Sequence, residues 1–390
     1  MLKAARLTWA RKLWDATAAI QRALSGKPRA EMPRQSAAAQ APDAMVIDAE
    51  VRVVVDVPTR APAPAPVSVP KPEPMAELRR APSVVAPPVV AAPEPQPSEA
   101  REAQFIAASF GNEAGTRDYK LYVPAGPHAT PLPLVVMLHG CTQDPDDFAA
   151  GTHMNECAEA VPCFVLYPAQ AKSANASRCW NWFNNTDQQR DRGEPSIIAG
   201  MTREVIASHP VDPRRVYVAG LSAGGAMAAT MASTYPELYA AVGVHSGLPH
   251  AAAHDMMSAF TAMRHGPKPK RAAQSVARSV VPTIVFHGDQ DKTVHPGNGE
   301  QVIAQALEET SGSDGEVSVE QGQVPGGQAY TRTLHRDAQG QVNLEHWLVH
   351  GAGHAWSGGS AGGSFTDPQG PDASHHMLRF FAAHRLPPSA

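Results

Sequence analysis

The stretch from Val216 to Thr234 constrains the fold more than any other part of the chain. A short apolar strand, Val216-Tyr217-Val218-Ala219, runs through Gly220-Leu221-Ser222-Ala223-Gly224 into an Ala/Met-rich helical segment. A G-x-S-x-G turn between strand and helix reads as a nucleophile elbow: small residues two places either side of the serine let both backbones pass closely, and the hydroxyl projects over the sheet edge. The bare pattern arises often by chance, so its context carries the reading. The start of the following helix adds free N–H groups and a dipole that favour negative charge, as a carbonyl oxygen acquires when a serine attacks it.

A serine hydroxyl is a weak nucleophile until a histidine takes its proton, and the resulting imidazolium needs a carboxylate to orient and stabilise it. On this kind of sheet the chain order is serine, acid, histidine. Val280-Val281-Pro282-Thr283-Ile284-Val285-Phe286 reads as a buried strand that ends in an acidic loop holding Asp289 and Asp291. Asp291 is the expected acid, because it lies far enough past the strand to turn back, whereas Asp289 suits a turn-bracing role. Leu344 to Val349 reads as the last strand, and His354 in the Gly-rich loop beyond it is the expected base. His139, His245, His287 and His350 also adjoin strand ends but lack zinc-site spacing, so no metal and no cofactor are expected.

The apolar run Pro133 to Leu138 ends in His139-Gly140, followed by the polar loop Cys141-Thr142-Gln143. Such a loop supplies one backbone N–H to an oxyanion hole, and the residue after the nucleophile supplies the other, which assigns the donors to Cys141 and Ala223. Helix and strand alternate through the rest: helix at 154–160, strand at 164–167, helix at 197–208, helix at 226–234, strand at 240–244, closing helix at 372–384. That alternation implies a mostly parallel, doubly wound α/β sheet with right-handed crossovers.

The segments LHGCTQ, RCWNWF, GLSAGGAMA, FHGDQDKTVHP and GAGHAWSGG, in this order, resemble the polyhydroxybutyrate-depolymerase family of esterases, relatives of feruloyl and acetylxylan esterases. The likeness spans about residues 104 to 386. It implies an α/β-hydrolase fold and hydrolysis of carboxylic esters, with Ser222 as nucleophile, Asp291 as acid, His354 as base and the Cys141 loop as the oxyanion region. Polymer, oligomer and plant-cell-wall esters all remain open as substrates. It also places the Cys179 loop beside the active site, where a Cys141–Cys179 disulfide would pin both loops. Cys157 and Cys163 are close enough in sequence to permit a bridge without requiring one, and in a reducing compartment all four cysteines would be thiols. Trp180, Trp182, Phe183 and Trp356 cluster in loops and are the expected apolar and stacking surface for substrate. Leu248 to Arg278 is the expected cap or lid.

Residues 27–103 are dominated by Pro and Ala, with runs such as Pro62-Ala63-Pro64-Ala65-Pro66. Too little large apolar surface is present there to offset ordering entropy, so a disordered linker is expected. Val51 to Val55 has strand character but no evident sheet to join. Within residues 1–26, Leu2, Trp9, Leu13, Ile20 and Leu24 share one helical face opposite Arg11, Lys12, Asp15 and Arg22, although Arg6 intrudes. Such a basic amphipathic helix suits an anionic membrane or a polyester granule surface. It makes no convincing signal peptide, since charges interrupt every apolar run, while the resemblance implies an extracellular role for many family members. A formal net charge of -4 offers no basic face for nucleic acid. Rival readings are a peptidase or thioesterase on the same fold, and a surface-binding protein with a vestigial hydrolase domain.

Overall fold

A computed structural model describes residues 51–53, 102–266, 281–309 and 315–388. One sheet holds β1 (Val51–Val53), β2 (Gln104–Asn112), β3 (Gly115–Val123), β4 (Leu132–Leu138), β5 (Phe164–Pro168), β6 (Val211–Leu221), β7 (Ala241–His245), β8 (Thr283–Gly288), β9 (Val317–Gln323), β10 (Ala329–Arg336) and β11 (Val342–Val349). Their spatial order is β1-β9-β10-β11-β8-β7-β6-β4-β5-β3-β2. From β11 through β8, β7, β6 and β4 to β5 every pairing is parallel. Antiparallel strands extend both ends, β3 and β2 at one and β10 and β9 at the other.

Helices are α1 (Pro145–Thr152), α2 (Met154–Ala160), α3 (Gly193–Ser208), α4 (Ala223–Thr234), α5 (Met256–His265), α6 (Gly297–Glu309) and α7 (Ala373–Ala382). They divide between the two faces of the sheet, which is why the central strands read as nearly unbroken apolar runs. Along β4, Leu134, Val136 and Leu138 join the core under α3 and α4, while Val135 and Met137 join the core under α1, α2 and α7. In α4 every residue from Ala223 to Ala232 is buried. A helix apolar all round needs neighbours on every side, and its small side chains let it lie close to the strands.

One expectation changes here. Val51–Val53, expected to find no sheet, pairs in parallel with β9, Val51 opposite Val319, because an edge strand presents unpaired N–H and C=O groups to any chain passing along it. The proposed linker 27–103 is therefore interrupted by a strand; residues 1–50, including the amphipathic segment, and 54–101 lie outside the described residues. Of the proposed lid, residues 248–266 are described, and 267–280 lie outside. Its one described helix, α5, begins with a capping box between Asp255 and Ser258. It is tied to α6 where Asn298 Nδ2 donates to the Ala262 carbonyl at 3.0 Å.

The interior also holds histidines that resist charge. Burial pushes the imidazoles of His139, His346 and His376 down to about 4, and the buried Nε2 of His346 and Nδ1 of His376 have no partner among the described residues. In the unfolded chain these groups titrate near 6.5. Stability is thus fully present above about pH 6.5 and drains as pH falls towards 4, by up to about 3 kcal/mol per histidine. We expect the thermal midpoint to fall steeply across that window; a flat midpoint from pH 7 to 4.5 would contradict this.

Candidate active site

The elbow forms where β6 meets α4. Ser222 has φ 58° and ψ -117°, a conformation that costs a residue with a β-carbon on the order of 1–3 kcal/mol. Backbone bonds hold it from both sides: its N–H donates to the His245 carbonyl at 2.9 Å, and its carbonyl accepts from Ala226 N–H at 2.9 Å. Contact explains the flanking glycines. A β-carbon on Gly224 would overlap the Leu138 carbonyl oxygen, and one on Gly220 would overlap Gly224 itself. The Ser222 hydroxyl does not cap α4, which leaves it available at the mouth of the turn.

Because β6, β7, β8 and β11 are parallel neighbours, the loops that follow them emerge along one edge of the sheet. The loops after β8 and β11 run tightly together, with Asp289 N–H donating to the Val349 carbonyl at 3.0 Å and Gln290 N–H to the Ala352 carbonyl at 2.9 Å. Within them Asp291 Oδ2 accepts from His354 Nδ1 at 2.6 Å. Asp291 Oδ1 accepts from the amides of Thr293 and Val294 at 2.8 and 2.9 Å. Burial pushes this carboxyl up, but hydrogen bonds from His287 and His354 outweigh burial and hold it well below the usual carboxylate range. Asp289 instead accepts from His350 Nδ1 at 3.0 Å and from Gly351 N–H at 2.8 Å, bracing the turn that leads to His354.

His245 fastens the far side of that loop. Its Nε2 accepts from Ser357 N–H at 2.9 Å, and its ring stacks on Trp356 at 4.9 Å and on Phe286 at 5.8 Å. Burial keeps this imidazole well below its ordinary range, so it serves as an acceptor.

The turn after β4 lies against the elbow, where a β-carbon on Gly140 would stand 3.6 Å from Ser222 Cβ. Gly140 N–H donates to Gln143 Oε1 at 2.9 Å, and Thr142 N–H donates to the Ser177 carbonyl at 2.7 Å. The Cys141 amide lies between these two partnered groups. The Ala223 amide is the first of α4, and the opening N–H groups of a helix have no intrahelical acceptor. Cys141 is joined to Cys179 by a disulfide. Cys157 and Cys163 are free, their thiols pushed up by burial to about 11 and about 12.

The aromatic residues are placed differently from expectation. Trp180, Trp182 and Trp356 are 0%, 5% and 1% exposed, and Phe183 is 8% exposed. Their loops fold inwards: Trp180 packs on His139, Trp182 on Phe183, and Trp356 between Phe148 and His245. These rings are packed against interior neighbours rather than laid open to solvent.

Several supporting residues carried no sequence signal. Gln143, whose Oε1 fixes Gly140, donates through Nε2 to Asp147 Oδ2 at 2.9 Å and to the Ser364 carbonyl at 3.0 Å. Ser364 N–H in turn donates to Asp147 Oδ1 at 2.8 Å, so the loop beyond His354 is tied to the oxyanion turn. Glu194, buried, accepts from Asn181 N–H at 2.7 Å, from Arg117 Nη2 at 3.3 Å and from Gln170 Nε2, which organises the Cys179 loop. Partners this distant in sequence leave no spacing to read. Among the described residues no helix is long and apolar enough to cross a membrane.

Residues 117–322 match the family described as Esterase PHB depolymerase. The poly(3-hydroxyalkanoate) depolymerase C of Paucimonas lemoignei is 34% identical across 63% of this chain and 60% of its own length. The poly(3-hydroxybutyrate) depolymerase of Ralstonia pickettii is 29% identical across 66% of this chain and 55% of its own length. The chain thus spans less than two thirds of each of these relatives. Feruloyl esterase B of Neurospora crassa is 29% identical across 58% of this chain and 79% of its own. The fold is that of the acetyl xylan esterase from Aspergillus awamori, with a TM-score of 0.56 at 20% identity over 72% of this chain and 99% of that one. With the family match covering more than half its length, the chain belongs to the Esterase PHB depolymerase family.

Proposed function

We propose that this protein is a carboxylic ester hydrolase in which Ser222 is the nucleophile, His354 the general base and Asp291 the carboxylate that orients it. The observation that carries the reading is the 2.6 Å bond from His354 Nδ1 to Asp291 Oδ2 on the sheet edge where Ser222 sits in its strained turn. With Nδ1–H committed to Asp291, Nε2 is the basic nitrogen, which is the tautomer that proton abstraction from a serine requires. The Ser222 oxygen adds to the ester carbonyl as its proton passes to His354. The amides of Cys141 and Ala223 hold the oxyanion. Collapse expels the alcohol, which takes the proton from His354 and leaves an acyl group on Ser222. Water then repeats the addition under the same base and frees the acid and the serine.

The substrate class we infer is the ester bond of 3-hydroxyalkanoate oligomers or polymer, which the names of the two depolymerase relatives support. The Cys141–Cys179 disulfide supports work in an oxidising compartment. We assign residues 1–26 to adsorption on the polyester surface, which raises local substrate concentration without entering the chemistry. The full chain and a chain starting at Ala49, which keeps β1, should hydrolyse 3-hydroxybutyrate oligomers and short p-nitrophenyl esters equally fast. Only the full chain should bind polyester particles well. Preference for feruloyl or acetylated-xylan esters would move the substrate class, cleavage of peptides or thioesters alone would move the reaction, and equal particle binding would remove the surface role.

A further inference from the structure

His287 is the penultimate residue of β8, four residues before Asp291, and has no part in the proton transfers described above. Its ring is wholly buried. Nε2 lies 2.9 Å from the Val294 carbonyl oxygen and 3.4 Å from Asp291 Oδ2, the same carboxylate oxygen that holds His354. Two acceptors around one nitrogen place the proton there: it is donated to the Val294 carbonyl, with Asp291 Oδ2 beside it. Nδ1 has no partner among the described residues and faces the backbone of α6 at Gly299, where a β-carbon would come within 2.9 Å of it. A proton on that nitrogen would be stranded in a dry wall, so the ring is held as the Nε2–H tautomer. The ionisable groups around it are Asp291, His245, His346 and His354, and Asp291 is the one anion in the cluster.

We propose that His287 is a positioning residue whose Nε2–H, held beside Asp291 Oδ2, sets how strongly that oxygen holds the proton on His354. The inference rests on the triad reading. The positive end of an N–H dipole beside Oδ2 stabilises charge on that oxygen and weakens its pull on the His354 proton. Without it, Oδ2 would pull harder on that proton, imidazolium would be favoured, and His354 would leave its basic form at a higher pH.

The test is the pH dependence of kcat/KM for a soluble short-chain ester, with thermal midpoints recorded alongside. His287→Phe removes the donor and keeps a flat ring; we expect the acid limb to move up by about one pH unit, close to a tenfold loss of kcat/KM on the acid side. His287→Gln can place an N–H near the Nε2 position; we expect its acid limb to stay close to that of the native protein, even where the midpoint falls. An unmoved limb in His287→Phe, or an equal shift in His287→Gln, would overturn the proposal. If the Phe variant does not fold, His287→Leu, which also removes the donor, replaces it with the same expected shift and the same overturning result. Asp291→Asn, measured in parallel, separates the two levels: if it keeps native turnover, the triad reading itself fails, whereas if it loses turnover while the His287→Phe limb stays put, only the role of His287 fails.

Discussion

Ser222→Ala should lower kcat for a soluble short-chain ester by about 10⁴- to 10⁶-fold and leave the thermal midpoint within about a degree of the native value. The size of the loss follows from chemistry: without the hydroxyl no acyl-enzyme forms, and only the oxyanion donors and substrate binding remain to favour direct attack by water. The unchanged midpoint follows from packing. The hydroxyl caps no helix, alanine inherits the same backbone strain, and the bonds that hold the elbow run through the backbone of residue 222 to His245 and Ala226. A variant that kept near-native turnover would take the nucleophile's role away from Ser222.

Asp291→Asn should cost about 10⁴-fold in kcat, and Asp289→Asn no more than a few-fold. At Asp291 the asparagine would fit, since its carbonyl can still accept the Thr293 and Val294 amides that now bond Oδ1. Its NH₂ group would then face His354 Nδ1 and hold the ring with its proton on Nε2, where it can no longer take one from serine. Asp289 lies one step removed from that ring, holding His350 and Gly351 near the surface. The two variants differ by one amide group two residues apart, so their ratio reports on orientation of the histidine rather than on loop stability. The reverse ranking in kcat at pH 8 would transfer the acid's role to Asp289.

The parts legible in the sequence were those where one physical demand dictates residue type over a contiguous run. The strands β4 to β8 are apolar over most of their length, apart from Asp212-Pro213-Arg214-Arg215 at the start of β6, because helices cover both faces, and the elbow glycines are forced by backbone contact at Leu138 and Gly224. What escaped reading has its own causes. The hairpin of β2 and β3 and the strands β9 and β10 lie at the sheet's ends, where half-exposed residues such as those of β9 give no continuous apolar signal. Trp180, Trp182 and Trp356 sit in loops, which suggests exposure, but loops braced by buried polar groups such as Glu194 and Gln143 fold into the interior and take their aromatic rings with them. The Gln143–Ser364 bond joins residues 221 apart, and no local pattern announces such a partner.

The central claim is that Ser222 is made nucleophilic by the His354–Asp291 pair, and its most direct test is covalent. The native protein is incubated with a fluorophosphonate, a reagent that captures an activated serine by displacement of fluoride, and the adduct is located by peptide mass spectrometry while residual ester hydrolysis is followed. One phosphonyl group per chain should appear on Ser222 in step with loss of activity, and labelling should slow by orders of magnitude in Asp291→Asn. Inactivation with the adduct on another serine, or full activity persisting after Ser222 is modified, would contradict it.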